Sequence, residues 1–141
     1  MEAIKSEIVV IGAGPGGYAA AFYAADLGKK VILIERDKRL GGVCLNRGCI
    51  PSKALLHASE AFDHANHGFA AMGINVSPKL DLAKMQAFKV EGVKGNVDGV
   101  AYLLKKNTID SYHGTARIEG KGKVAISFMN GETSSLEAKS I

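Results

Sequence analysis

The chain has 141 residues, of which 47% are hydrophobic, and its 18 Lys and Arg outnumber its 14 Asp and Glu to give a formal net charge of +4. This length and apolar content predict one globular domain, and no run approaches the roughly 20 apolar residues of a membrane span, which excludes a transmembrane protein. The excess cations are scattered in pairs such as Lys29 and Lys30, so the sequence predicts neither a nucleic-acid partner nor a membrane partner.

The first predicted element is a strand at residues 7–11, a short run of apolar and β-branched side chains of the kind that is buried on both faces of a parallel sheet. Residues 1–7 alternate charged and apolar side chains and contain no apolar or arginine-rich leader. We therefore expect a cytoplasmic location.

A glycine-rich loop follows this strand. A helix is predicted from residue 16 to residue 27, Gly28 suits the left-handed position after its end, and a second strand is predicted at residues 31–35. Strand, loop, helix and strand within about thirty residues form a βαβ unit, which predicts two parallel strands.

The loop at residues 12–17, Gly-Ala-Gly-Pro-Gly-Gly, fits the G-x-G-x-x-G pattern of dinucleotide-binding loops. Gly12 allows a tight turn, Gly14 allows close approach of a pyrophosphate, and Gly17 allows close contact of helix and strand. Glu35 closes the next strand, where its carboxylate could accept hydrogen bonds from ribose hydroxyls. The alternative is an ordinary turn with a solvated glutamate, and the loop alone does not distinguish FAD from NAD.

The next feature is a pair of cysteines, Cys44 and Cys49, between a turn-like stretch at residues 36–42 and a helix predicted at residues 51–62. In a regular helix their Cα atoms would be about 8 to 9 Å apart, whereas a disulfide needs less than about 7 Å. Gly48 permits the irregular turn that bridging requires, which leaves Cys44 before the helix and Cys49 at its N-terminus. Backbone N–H groups there favour a thiolate, so the spacing predicts a redox dithiol; the alternatives are a structural disulfide and a metal site.

Lys53 lies in the first turn of that predicted helix, where a cation opposes the helix dipole. It could pair with a carboxylate, point at an electron-rich cofactor, or be a solvated surface lysine. His64 and His67 are interpreted as exposed helix histidines because no third metal ligand is nearby.

The second half of the chain predicts one long or broken helix at residues 81–106 and then a small antiparallel meander with strands at residues 115–119 and 124–128. Ser140 and Ile141 have the character of a strand that has just begun. The chain is therefore expected to be part of a longer protein.

The run from Gly41 to Lys53, Gly-Gly-Val-Cys-Leu-Asn-Arg-Gly-Cys-Ile-Pro-Ser-Lys, closely resembles the redox-active signature of the flavoprotein pyridine nucleotide-disulfide oxidoreductases. The resemblance covers essentially the whole chain and is tightest over residues 8–56. Within the family, the variant is most similar to members that oxidise dihydrolipoamide. Glutathione reductases, which tend to carry a lysine where Ser52 stands, and mercuric reductases, which share the serine, remain alternatives.

The resemblance implies an α/β fold: a Rossmann-like FAD-binding βαβ unit with a parallel sheet and a small antiparallel meander, residues 1–141 being the N-terminal portion of an incomplete FAD-binding domain. It implies that Cys44 is the interchange thiol, Cys49 the charge-transfer thiolate beside the flavin, and Lys53 the cation near flavin N5. The residues implied in FAD binding are Gly12, Gly14, Pro15, Gly17, Glu35, Arg36, Gly42, Val43, Cys44, Cys49, Lys53, Gly114 and Ala116.

The implied reaction passes two electrons from dihydrolipoamide, carried on the acyltransferase of 2-oxoacid dehydrogenase complexes, through Cys44 and Cys49 to FAD and then to NAD. NAD would bind in a domain absent here, and the full-length protein would be a homodimer, so the fragment alone is expected to be inactive. A rival hypothesis is a non-catalytic, dinucleotide-binding, thiol-sensing module. A simple NAD-binding Rossmann domain leaves the cysteine spacing unexplained.

Overall fold

The computed structural model describes residues 3–141. It begins with a strand, a helix and a strand, continues with three helices, and ends with three strands. In chain order the elements are β1 (Ile4–Ile11), α1 (Pro15–Asp26), β2 (Val31–Glu35), α2 (Gly42–Arg47), α3 (Cys49–Asp63), α4 (Leu82–Lys106), β3 (Asp110–Gly120), β4 (Lys123–Phe128) and β5 (Thr133–Ser140). A π turn at His64–Gly68 and a 3-10 turn at Phe69–Met72 follow α3.

The predicted βαβ unit is present. β1 and β2 pair in parallel, from Ile8 opposite Val31 to Ile11 opposite Ile34. β2 has the predicted bounds, whereas β1 begins at Ile4, three residues earlier than expected. Gly28 has φ of +75°, which confirms the left-handed position after α1.

The strands close into a five-stranded barrel, so the prediction of a parallel sheet with a separate meander is wrong in this respect. β3 has 11 residues; its first half pairs in parallel with β2 and its second half pairs antiparallel with β4. β5 pairs antiparallel with β4 and in parallel with β1. Because β1 and β3 are each long enough to serve two neighbours, the two expected sheets share strands and form one ring. Ser140 therefore ends a strand and does not begin one.

Two apolar layers form the core, on either side of β2. Alternate side chains of this strand point to opposite faces, so Ile32 and Ile34 enter the barrel while Val31 and Leu33 pack against the helices. The interior of the barrel is filled by Val9, Ile32, Ile34, Val124, Ile126 and Leu136, each at most 1% exposed. β2 is thus buried on both faces, as a central parallel strand should be.

The bounds of the helices that contain the cysteines differ from those predicted, whereas those of α4 agree. The segment containing Cys44 forms the short helix α2, which was expected to be irregular, and α3 begins at Cys49, two residues before the predicted start at Pro51. α4 runs unbroken for 25 residues, and Asp81 caps it by accepting a hydrogen bond from the N–H of Lys84 at 3.0 Å.

Within residues 3–141, no helix combines the length and the apolar character required to span a bilayer.

Candidate dinucleotide and disulfide site

The glycine loop joins β1 to α1 with the geometry that its pattern requires. Gly12 has φ of +97°, which only glycine adopts without strain. A Cβ on Gly17 would overlap the carbonyl oxygen of Gly12, whereas a Cβ on Gly12 or Gly14 would meet no heavy atom within 4 Å. The third glycine therefore permits helix–strand contact, and the first two border open space at the N-terminus of α1, where no side chain caps the helix.

Glu35 holds this loop in place from the end of β2. Its side chain is buried, and its Oε2 accepts a hydrogen bond from the N–H of Ala13 at 2.6 Å while its Oε1 accepts one from the N–H of Asp37 at 2.8 Å. Sequence reasoning gave Glu35 only a ribose contact and missed this supporting role. Because a carboxylate offers about four lone-pair sites, two backbone bonds leave capacity for a ribose hydroxyl.

A cavity of about 380 Å³ opens beside Glu35 and brings together residues from four parts of the chain. This volume lies in the usual range for small-molecule sites. The predicted FAD-binding residues that line it are Gly12, Glu35, Arg36, Gly42, Val43, Gly114 and Ala116. The remaining predicted residues, Gly14, Pro15, Gly17, Cys44, Cys49 and Lys53, do not line this cavity.

Cys44 and Cys49 form a disulfide across the junction of α2 and α3, with their Cα atoms 4.7 Å apart. Gly48 lies between the two helices with φ of −125° and ψ of −108°, so the chain changes direction as bridging requires. Cys44 precedes α3 and Cys49 is its first residue, as expected, but Cys44 lies within the short helix α2, which was not predicted. Cys44 is half-buried, whereas Cys49 is exposed. Uncapped N–H groups at the start of α3 would stabilise a Cys49 thiolate after reduction.

The disulfide helix contacts the glycine loop directly. The N–H of Gly41 donates to the carbonyl of Ala13 at 2.8 Å. Gly42, the first residue of α2, lies so close to the loop that a Cβ on it would be 2.8 Å from the Cα of Gly14. Gly41 and Gly42 both have positive φ, at +97° and +60°, and this turn delivers α2 to the loop.

Asn46 clamps the same turn from inside α2, a role that sequence reasoning missed. Its Nδ2 donates to the carbonyl oxygens of Leu40 and Gly42, both at 2.9 Å. Its Oδ1 is buried without a partner in the described chain. Asn46 lies between the two cysteines, but no periodicity or spacing marks it, because its partners depend on how the turn folds back.

Lys53 is exposed and lies one helical turn after Cys49, on the same side of α3. Because α3 begins at Cys49, Lys53 is its fifth residue and does not lie in the first turn, which corrects the expected opposition to the helix dipole. Among the seven ion pairs found within residues 3–141, none involves Lys53, so the suggested carboxylate partner is not found there.

The predicted histidines lie away from any metal-binding arrangement in the part of the chain described. The Nδ1 of His67 lies 3.0 Å from the Oδ1 of Asp63, and both side chains are exposed. Residues 3–141 contain no group of three or more His, Cys, Asp or Glu side chains placed to hold a metal ion.

A dinucleotide-type glycine loop in contact with a disulfide turn defines a class of protein, the nucleotide-dependent thiol–disulfide redox proteins. Comparison with known families agrees: the model of the pyridine nucleotide-disulphide oxidoreductase family matches residues 6–141. The chain belongs to this family.

Curated relatives narrow the similarity within the family. The chain is 49% identical over 136 residues to dihydrolipoyl dehydrogenase 3 of Pseudomonas aeruginosa, a match that covers 96% of this chain and 29% of the relative. It is 45% identical over 141 residues to the mitochondrial dihydrolipoyl dehydrogenases of Bos taurus and Homo sapiens, covering 98% of this chain and 28% of each relative. The chain thus spans less than a third of the length of these relatives.

Proposed function

We propose that residues 1–141 form the FAD- and disulfide-bearing portion of an enzyme that oxidises dihydrolipoamide and reduces NAD. The observation that carries the proposal is the contact between Gly42, which begins the disulfide helix, and Gly14 of the dinucleotide loop. A redox disulfide that only senses thiols has no need of this contact. A disulfide that passes electrons to a bound dinucleotide must be next to it.

The residues of the cavity and loop suit the dinucleotide FAD. Gly12 and Gly14 leave room for a pyrophosphate beside the uncapped start of α1, and Glu35 can accept hydrogen bonds from a ribose. Gly114 and Ala116 line the same cavity, and we propose that their backbone contacts the adenine, as the resemblance to the family implies. Bound FAD supplies the two-electron acceptor chemistry that amino-acid side chains lack.

The proposed chemistry of the disulfide is two thiol–disulfide exchanges. One thiolate of dihydrolipoamide attacks the Sγ of Cys44, the Cys44–Cys49 bond breaks, and Cys49 leaves as a thiolate. The second substrate thiolate then attacks the substrate sulfur of the mixed disulfide, which forms lipoamide and releases the Cys44 thiolate. The substrate loses two electrons and its thiol protons, and the protein disulfide gains the two electrons. The N-terminal N–H groups of α3 favour Cys49 as the leaving group.

The other parts of the proposal rest on the relatives. They are named dihydrolipoyl dehydrogenases, which supports dihydrolipoamide on 2-oxoacid dehydrogenase complexes as substrate and NAD as final acceptor, the latter bound outside this chain. A homodimer is proposed for the full-length protein. The expected cytoplasmic location stays a prediction, because two of these relatives are named as mitochondrial.

The first test is the visible absorption spectrum of the purified chain, mixed with FAD and freed of excess, before and after addition of dihydrolipoamide. We expect bound flavin and, after reduction, a new long-wavelength band that Cys49→Ser abolishes without loss of flavin. Glutathione and Hg(II) serve as competing reactants for the two alternative family activities. Reduction of the disulfide by dihydrolipoamide in a chain that retains no FAD, together with failure of a full-length protein to bind FAD, would favour the thiol-sensing module instead.

A further inference from the structure

A second cavity adjoins the disulfide turn and contains none of the residues that line the cavity proposed for the dinucleotide. It has a volume of about 480 Å³ and lies between α3 and α4. Gly48 and Ser52, from the disulfide turn and the first turn of α3, form part of its wall.

Three cations from three separate elements converge on this cavity. Arg39 comes from the turn after β2, Arg47 from the end of α2, and Lys89 from α4. No acidic side chain lines the cavity, and none of the three cations forms an ion pair within residues 3–141. The Nζ of Lys89 donates only to the neutral Oε1 of Gln86, at 2.7 Å. The cavity therefore carries positive charge that no described side chain neutralises.

The remaining wall is aliphatic. Pro51 and Leu55 of α3 face Val90 and Val93 of α4, and no aromatic side chain lines the cavity. Val90 is 57% exposed, although it lies in the wall of a concave site. A wall without aromatic rings offers contact to a flexible hydrocarbon chain and no stacking surface for a base or other flat ring.

We propose that this groove binds an aliphatic carboxylate, with the carboxylate beside Arg39, Arg47 and Lys89 and the hydrocarbon chain between α3 and α4. Arginine forks pair with a carboxylate through two parallel hydrogen bonds, and lysine adds a point charge. Burial of the hydrocarbon chain against Leu55, Val90 and Val93 removes apolar surface from water. Asn46 also lines the cavity, and its amide nitrogen is already committed to the carbonyl oxygens of Leu40 and Gly42.

The test is titration of the isotopically labelled chain with octanoate, followed by amide chemical shifts. We expect saturable shifts at Arg39, Gly48, Lys89 and Val90. Octan-1-ol keeps the hydrocarbon chain without the carboxylate, and acetate keeps the carboxylate without the chain. Each should bind at least about tenfold more weakly than octanoate, because a buried methylene contributes up to about fourfold to the affinity and a charged hydrogen bond about tenfold. Saturating FAD should leave the octanoate affinity unchanged, which separates this proposal from the proposed function.

Variants locate the site. Arg39→Gln and Lys89→Gln should each weaken octanoate binding about tenfold, whereas Lys105→Gln, the same charge change on the same helix outside the cavity, should leave it unchanged. Val90→Glu places an anion in the wall and should abolish binding; Leu103→Glu, also on α4, should not. Absence of saturable shifts at millimolar octanoate, or equal weakening by Lys105→Gln, would overturn the proposal.

Discussion

The carboxylate of Glu35 and the backbone N–H of Ala13 form a buried hydrogen bond of 2.6 Å that joins the end of β2 to the glycine loop at the end of β1. The carbonyl of Ala13 in turn accepts from the N–H of Gly41, which precedes the disulfide helix. Both backbone polar groups of Ala13 are thus hydrogen-bonded: its N–H to Glu35 at the end of β2, and its carbonyl to Gly41 before the disulfide helix. Ala13 is fully buried, so water cannot replace either partner.

Replacement of Glu35 by glutamine should destabilise the chain. Two backbone N–H groups converge on the carboxylate, and a glutamine has only one oxygen to accept from them, so its amide nitrogen faces a donor. We expect a loss of about 1.5–3 kcal/mol in the free energy of unfolding, measured by urea denaturation. Glu91→Gln, an exposed change on α4, should cost less than about 0.5 kcal/mol; equal losses in the two variants would contradict this assignment.

Two neighbouring glycines should respond in opposite ways to alanine. Gly17→Ala forces a methyl group onto the backbone carbonyl of Gly12, which cannot move without opening the loop, so we expect destabilisation by about 1–3 kcal/mol and loss of FAD binding. Gly16→Ala meets no heavy atom within 4 Å and should gain up to about 1 kcal/mol from helix propensity. Thermal unfolding and flavin fluorescence of the pair measure both effects. A tolerated Gly17→Ala would show that close packing there is not required.

Cys49 should react faster than Cys44 once the disulfide is reduced. Cys49 is exposed at the uncapped start of α3, where backbone N–H groups favour the thiolate, while Cys44 is half-buried within α2. In the chain freed of FAD, which would otherwise cover Cys49, timed alkylation with iodoacetamide at neutral pH, read by peptide mass spectrometry, should give a rate for Cys49 at least about tenfold higher. Cys44→Ser should leave the Cys49 rate unchanged. Faster alkylation of Cys44 would instead favour it as the more accessible sulfur.

Asn46→Asp should loosen the turn that links the disulfide to the glycine loop. The carbonyls of Leu40 and Gly42 would then face a carboxylate in place of an amide donor, so we expect a loss of about 1–3 kcal/mol in the free energy of unfolding. Asn96→Asp is the matched control, because Asn96 also donates to a helical carbonyl, that of Gly92, but at the surface. Urea denaturation of the two variants should separate them; similar small losses would mean that Asn46 does not clamp the turn.

Glu7 should contribute stability that disappears in acid. The N–H of Lys30 donates to its carboxylate at 3.1 Å, and this bond, aided by Lys29 and Lys139, lowers the pKa of Glu7. A carboxyl whose pKa is lower in the folded state stabilises the fold above its unfolded pKa, and the stabilisation is lost as pH falls. The difference in unfolding free energy between the wild type and Glu7→Gln should therefore be constant near neutrality and shrink below about pH 4.3. A difference that does not vary with pH would contradict this linkage.

The sequence predicted correctly those elements whose residues are uniformly buried or whose structure depends on neighbouring residues alone. β2 was predicted with its observed bounds because all five of its residues are buried and the run reads as continuous apolar sequence. The helix at Gly42–Arg47 was missed because it starts with glycine, lasts six residues, and depends on distant partners: Leu45 is buried in the core and Asn46 clamps the turn.

Features that depend on long-range pairing were not predictable from patterns. Closure of the barrel requires β1 to pair with β5 so that Ile4 lies opposite Leu136, and the side-chain pattern of neither strand specifies that register. In the candidate site, the glycine loop and the cysteine pair could be predicted from their spacing in the sequence. The cavity between α3 and α4 could not, because it forms only when these two separate helices pack together.

The shared pairing of β1 sets an order on folding during synthesis. One half of the first strand, from Ile4 to Ile8, pairs with the last strand, while the other half, from Ile8 to Ile11, pairs with β2. At a ribosomal rate of about 5–20 residues per second, the last strand follows the first by on the order of ten seconds. The start of β1 must wait that long without its partner, which leaves it available to chaperones, whereas the glycine loop can form as soon as β2 has emerged.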